Sequence, residues 1–284
     1  MIRDMTRGNV TRHLVSFSVP IILGNLFQQF YNIMDSVVVG QFVSENALAS
    51  VGASYAITNV FIAVAIGGGT GSSVIISQFL GAGQITKMKT AVSTTLLNFL
   101  VISVFLGVFG LAYSDRILAL MNVPGNIFED AALYLSIYFL GLPFLFMYNV
   151  QASVFNSLGD SRTPLWLLIF SSLLNIVLDL LFVIQFGMAV RGVAVATLIA
   201  QGLSAVLSFC LLMRKLRGYE HRREEFRFYD RGMMLSMVKV AIPSILQQSI
   251  VQMGILLVQS VVNTFGSSAI AGYSAGTRIE SISI

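Results

Sequence analysis

Long apolar runs constrain this 284-residue chain more than any other feature. Runs suited to helices of about 20 residues, the length that crosses a bilayer core, fall near 14–40, 47–80, 89–113, 131–157, 163–186 and 190–213. A seventh covers about 234–265, and an eighth begins near 269. Charged residues make up only 11% of the chain and hydrophobic ones 56%, whereas a soluble domain is roughly a quarter charged. The expected fold class is therefore an all-α, polytopic membrane protein. Several runs are longer than a bilayer needs, which implies tilted or protruding helices. The first run is too long for a signal peptide, carries Asp35 and lacks a small-residue cleavage pattern.

The placement of Lys and Arg predicts which connections share a side. The N-terminus carries Arg3, Arg7 and Arg12; later connections on the same side carry Lys87, Lys89 and Arg162. The linker RKLRGYEHRREEFRFYDRG adds Arg214, Lys215, Arg217, Arg222, Arg223, Arg227 and Arg231. The opposite connections hold only Arg116 and Arg191, so the count is thirteen against two. Basic loops stay in the cytoplasm, which predicts a cytoplasmic N-terminus and linker in a multi-pass protein of the cell membrane. Asn9-Val10-Thr11 then faces the wrong side for glycosylation. The net charge of +4 is spread between apolar spans and not along one stripe, so the lipid bilayer is the expected partner and nucleic acid is not.

An internal repeat organises the chain. Pro20, Leu23, Gln29 and Phe42 recur as Pro243, Leu246, Gln252 and Phe265, an offset of 223 residues. After a one-residue deletion, Ala47, Ala49 and Ala53 recur as Ala269, Ala271 and Ala275. The offset covers six spans, an even number, so both copies enter the membrane in the same direction. Parallel repeats of this kind are a standard transporter construction, and they predict two six-helix lobes. On this reading residues 1–13 are a cytoplasmic N-terminus and 14–213 a complete first lobe. Residues 214–233 are then a basic linker and 234–284 the opening of a second lobe. The chain is read as a fragment of such a protein. A receptor or scaffold would not need matched lobes.

Acidic residues are scarce within the spans, and two of them stand out. Asp35 and Asp179 lie deep in complete spans, with no Lys or Arg within two helical turns on either side. An ionised Asp at mid-bilayer costs about 2.5–3.5 kcal/mol on insertion scales, and burial disfavours its charge until a proton or cation neutralises it. Asn25, Gln28, Asn32 and Asp35 recur at steps of three and four, as one stripe on a helix. Asn175 and Asp179 share a face of the fifth span, and Thr197, Gln201 and Ser204 one of the sixth. Tyr138, Asn149 and Asn156 fall on one side of the fourth. Such stripes face one another or a water-filled cavity, because lipid cannot pair them. Amides and hydroxyls also serve as interhelical glue at about 0.6 kcal/mol per contact, so the amides alone leave both readings open; the carboxylates favour function.

Other candidate features carry less. AIGGGTGSS, residues 65–73, lacks the Lys of a phosphate loop and lies mid-span; Gly67 and Gly71 instead have the spacing that lets helices pack closely. Pro143, in GLPF, predicts an interruption and kink of the fourth span. GDSRTP, residues 159–164, reads as a turn that restarts a helix. Cys210 is the only cysteine, which excludes a disulfide framework. His13 and His221 lie in polar flanks, and neither HExxH nor GxSxG occurs. An enzyme, a cofactor and a protein-bound metal are therefore not expected, beyond Na+ at a coupling site.

These residues carry a family likeness. VPIILGNLFQQFYNIMDSVVVGQF, ALASVGAS, GDSRTP and LLNIVLDLLFVIQFGMAVRGVAVATLIAQ together resemble the multidrug and toxic compound extrusion (MATE) transporters, across essentially the whole chain. The resemblance implies twelve helices in two lobes around a central cavity, acting as a monomer. It also implies export of organic cations and other drugs coupled to inward H+ or Na+, with the cation held by positions matching Asp35, Asn175, Asp179 and Thr197. Substrate candidates along the stripes are Asn25, Gln28, Asn32, Tyr138, Asn149, Asn156, Gln201 and Gln252. The family's chains are longer, and this one stops near the start of the eighth helix. The alternative within the same superfamily is a lipid-linked oligosaccharide flippase, whose cavity would need Arg and Lys for a pyrophosphate; the first-lobe spans supply none in their interiors, with Lys89 and Arg191 standing at span ends.

Overall fold

A computed structural model describes residues 10–219 and 226–280. Arg3, Arg7, Asn9, His221, Arg222 and Arg223, discussed above, lie outside the described residues. Eight α-helices follow one another: α1 (Val10–Phe42), α2 (Glu45–Gly81), α3 (Ile85–Leu120), α4 (Gly125–Ser157), α5 (Arg162–Leu180), α6 (Ala189–Arg217), α7 (Arg231–Asn263) and α8 (Ser267–Glu280). A π-helical turn, Leu181–Gln185, extends α5. Seven of the helices, the last described one excepted, are long and apolar enough to cross a membrane.

Helix boundaries have local causes. The Ser44 hydroxyl accepts from the Ala47 N–H at 3.0 Å and starts α2, and the Asp230 carboxylate accepts from the Met233 N–H at 2.9 Å and starts α7. After α4, Gly159 adopts a left-handed φ of 75°. That conformation lets its N–H reach the Asn156 carbonyl and lets the Asp160 N–H reach Phe155. The Asp160 carboxylate then receives the Arg162 and Thr163 N–H groups at 3.2 and 3.1 Å and begins α5. Pro20 and Pro243, the matched prolines of the two repeat segments, both lie inside helices, α1 and α7.

The expected interruption at Pro143 does not occur: α4 runs unbroken through it. Proline removes the donor for the carbonyl four residues earlier, here that of Phe139. Gly107 of α3 packs against that same carbonyl, where a Cβ would sit only 2.9 Å from its oxygen. That carbonyl is thus covered by a neighbouring helix and not exposed to lipid.

Around α2 and α4 the helices assemble: α2 packs on α4, α7 and α8, α3 on α4, α4 on α6, and α5 on α6 and α1. The main core is aliphatic and aromatic, with Phe139, Phe146 and Phe155 of α4 fully buried. The glycines of AIGGGTGSS are contact points. A Cβ on Gly67 would lie 2.7 Å from the Ile245 backbone, and Gly71 meets Ala241 on the same helix. Gly68 meets the Phe99 ring, and Gly69 the Ser153 hydroxyl.

Three basic connections meet on one face. Lys215 donates to Asp160 Oδ2 at 2.6 Å, and Lys89 donates to the Tyr219 carbonyl at 2.6 Å. The start of α3, the α4–α5 turn and the end of α6 are thereby tied together. Burial alone would raise the Asp160 carboxyl, but bonds from Lys215 and Thr163 hold it below the usual aspartate range. The Tyr219 hydroxyl is raised by burial and then by the neighbouring Asp160 charge.

Candidate cation and substrate site

The first-lobe site is built where α1, α5 and α6 converge. Asp179 is fully buried, Asn175 is buried one turn before it, and Asp35 and Thr197 are buried facing them. With the Asn175 amide nitrogen turned toward Asp179, Nδ2 donates to Asp179 Oδ2 at 2.9 Å. Its Oδ1 then accepts from the Thr197 backbone N–H at 3.1 Å and from the Thr197 hydroxyl at 3.3 Å. That orientation follows from the hydrogen-bond network, since the opposite one faces the amide oxygen toward a carboxylate. Asp179 Oδ1 accepts no hydrogen bond.

The Asp35 and Asp179 carboxyl groups lie within hydrogen-bonding reach of each other. Two ionised carboxylates can only accept, so a bond between them needs one proton held in common. Side by side in a low-dielectric site, two like charges repel strongly. What this arrangement offers is a small, oxygen-rich pocket that prefers one added positive charge. Carboxylate, amide and hydroxyl oxygens suit a proton or a hard cation. Among the described residues, no group of three or more His, Cys, Asp or Glu is placed to hold a metal ion.

Tyr31 belongs to the site and was missed by the polar pattern. It lies one turn before Asp35 on α1, and its hydroxyl sits beside Thr197, Asp35 and Asp179. The spacing could have found it, since Tyr31 is three residues after Gln28 and four before Asp35; an aromatic in a greasy span reads as core. The π-helical turn was missed too. It begins two residues after Asp179 and is succeeded by left-handed Gly187 (φ 61°) and Ala189 (φ 47°). A π-turn interrupts regular packing and often marks functional sites, and a left-handed alanine stores strain.

Of the other candidates, Gln28 of α1, Asn149 of α4 and Gln201 of α6 line one cavity together with Tyr31, Asn175 and Thr197. Tyr138 lines a second, smaller cavity that shares Thr197 and Gln201 with the first. Asn25 is exposed on α1 and lines neither cavity. Asn32 donates to Gln29 on its own helix at 3.3 Å. Asn156 and Gln252 each keep a buried amide oxygen without a partner, away from both cavities. The stripes thus converge at their middles and diverge at Asn25, Asn156 and Gln252.

Comparison with known proteins identifies the family. The chain is 32% identical over 280 residues to the probable multidrug resistance protein YpnP of Bacillus subtilis (strain 168), spanning 98% of itself and 62% of that protein. It is 25% identical to the FAD transporter of Shewanella oneidensis, over 96% of its own length and 61% of the relative's. A crystal structure of a MATE in complex with MaL6 superposes with a TM-score of 0.82 at 27% identity, covering 96% of this chain and 61% of that one. The crystal structure of a MATE in the straight conformation gives 0.81 at 26% identity, with 96% and 61% covered. The chain therefore spans about three fifths of the length of the curated relatives it matches. The family model MatE matches residues 20–181, and over a match that takes in more than half of its length, the chain belongs to the MatE family, the multidrug and toxic compound extrusion transporters.

Proposed function

We propose that this chain forms the first lobe, and the opening of the second, of a cation-coupled antiporter that exports organic cations. The observation that carries the reading is the buried Asp35–Asp179 pair, held by Asn175 and Thr197. The protein sits in the cell membrane as a monomer with its N-terminus and basic linker in the cytoplasm, in keeping with the thirteen-to-two charge asymmetry. Outward-facing, the pair takes up H+ or Na+, which relieves the repulsion between its charges and favours a rearranged lobe. That rearrangement expels the drug. Inward-facing, the cation leaves, and a cationic drug competes for the freed negative site. One charge crossing 100 mV supplies about 2.3 kcal/mol, enough for tens-fold accumulation without a nucleotide.

The drug reading is supported by a relative named for multidrug resistance. A flippase would need cationic groups for a pyrophosphate, and no Lys or Arg lines the two first-lobe cavities. Efflux of a fluorescent cation by the two-lobe protein in proteoliposomes tests the proposal. Asp35→Asn and Asp179→Asn are each expected to abolish gradient-driven efflux; wild-type rates in both would sink it.

A further inference from the structure

The surroundings of the carboxyl pair differ sharply on its two sides. Toward the α1–α2 turn the pair is packed by a mostly apolar cluster that includes Val38, Val183, Val190 and Val193, and whose Tyr134 and Ala194 also line the smaller cavity. Toward the face that carries Arg217 the surroundings are polar. The larger cavity runs that way from Asn175 and Thr197, past Gln201, Asn149 and Ser172, with room for a few waters. On α6 the same helical face continues as Thr197, Gln201, Ser204 and Ser208, a rise of about 16 Å. Ser204 and Ser208 are 1% exposed, and neither hydroxyl has a hydrogen-bond partner. Other helical serines behave differently: Ser153 and Ser77 return their hydroxyls to carbonyls one turn back. Parallel to this row, α4 carries Asn149 and then Asn156, whose buried amide oxygen also lacks a partner.

Buried polar groups without protein partners are satisfied by internal water. We propose that the α4–α6 seam is a hydrated route for the coupling cation, leading from the Asp35–Asp179 pair past Gln201, Ser204 and Ser208 to the basic face. The proposal rests on the cation site described above and adds where that cation leaves. The valine cluster prevents the seam from becoming a leak by closing its far end. Leu212, fully buried below Ser208, and the Lys215–Asp160 pair form the seam's last constriction.

Accessibility to Ag+, a thiol-reactive cation of sodium-like size, tests this directly. Cysteines are placed singly at Ser204, Ser208 and Val190 in a Cys210→Ser background, with Arg217→Cys marking the sidedness of sealed vesicles. The readout is protection from alkylation after denaturation, which needs no transport. Ag+ supplied from the Arg217 face is expected to block Ser204→Cys and Ser208→Cys about a hundredfold faster than Val190→Cys, the penalty for a cation at a dry position. Equal protection of all three, or faster reaction from the opposite face, overturns the route. If Ag+ does not reach the seam while Asp35→Asn and Asp179→Asn still lose cation binding, the route alone falls. If the seam reacts but the Asp variants bind cation normally, the site reading alone falls. Serine to cysteine is nearly isosteric, and each variant's elution profile verifies that it folds.

Discussion

Replacing Gly67 by alanine is the sharpest test of how α2 meets α7. The new Cβ would lie 2.7 Å from both the nitrogen and the Cα of Ile245, and 2.9 Å from the Ser244 carbonyl carbon. Carbon atoms prefer separations of about 3.5–4.0 Å, so the helices must part by roughly 1 Å. Backbone atoms cannot swing aside as a side-chain tip can. Overpacking of this kind costs about 1–3 kcal/mol, which lowers a melting midpoint by roughly 2–4 °C per kcal/mol in a chain of this order. Gly254→Ala on α7 is the control, because nothing lies within 4 Å of its Cβ. That substitution should be neutral or stabilising, through helix propensity. The assay is the monodisperse fraction in detergent after heating to graded temperatures. Loss for Gly67→Ala with none for Gly254→Ala is expected; equal midpoints for Gly67→Ala and wild type would refute the close approach.

Two further perturbations address other parts of the fold. Asn175→Leu removes the donor to Asp179 Oδ2 and the acceptor for Thr197, leaving buried polar groups unmet at about 1–3 kcal/mol; a thermal midpoint unchanged from wild type would contradict the network. Asp160→Asn removes the charge bonded to Lys215 and should be less stable than wild type at neutral pH by about 1 kcal/mol. Because the folded Asp160 carboxyl is held below its usual range, this stability is present above the unfolded pKa of about 3.9 and fades as pH falls further, through the folded pKa. Melting midpoints of the two proteins from pH 7 downward should therefore keep a steady gap that closes only in acid; a gap that widens there would contradict the assignment.

Much of this arrangement is legible in the residues themselves. Apolar length marks the spans, and Gly159, Asp160 and Pro164 mark a turn, because each of those signals is local. The 223-residue offset between Pro20 and Pro243 announces two similar segments, and the fold places each proline inside a long helix. Asn175, Asp179 and Thr197 could be grouped because their spacing places them on single helix faces, and polar faces seek one another away from lipid. What spacing cannot carry is the identity of the neighbour. Tyr31 looks like core until α6 brings Thr197 beside it, and Gly67 shows no partner until Ile245 arrives. Pro143 predicts a break because propensity is local, whereas α4 continues through it with Gly107 of α3 packed against the affected turn. The π-helical turn after Asp179 has no periodic signature at all, since five residues are too few to display one.

The central claim is that Asp35 and Asp179 act as one cation-binding unit, and equilibrium binding tests it without requiring transport. Purified protein at fixed pH is titrated with sodium, and proton uptake is followed in its absence, for wild type, Asp35→Asn and Asp179→Asn. Wild type is expected to bind one of the two cations, and either substitution alone to remove that binding. Undiminished uptake of both cations by either variant would contradict it.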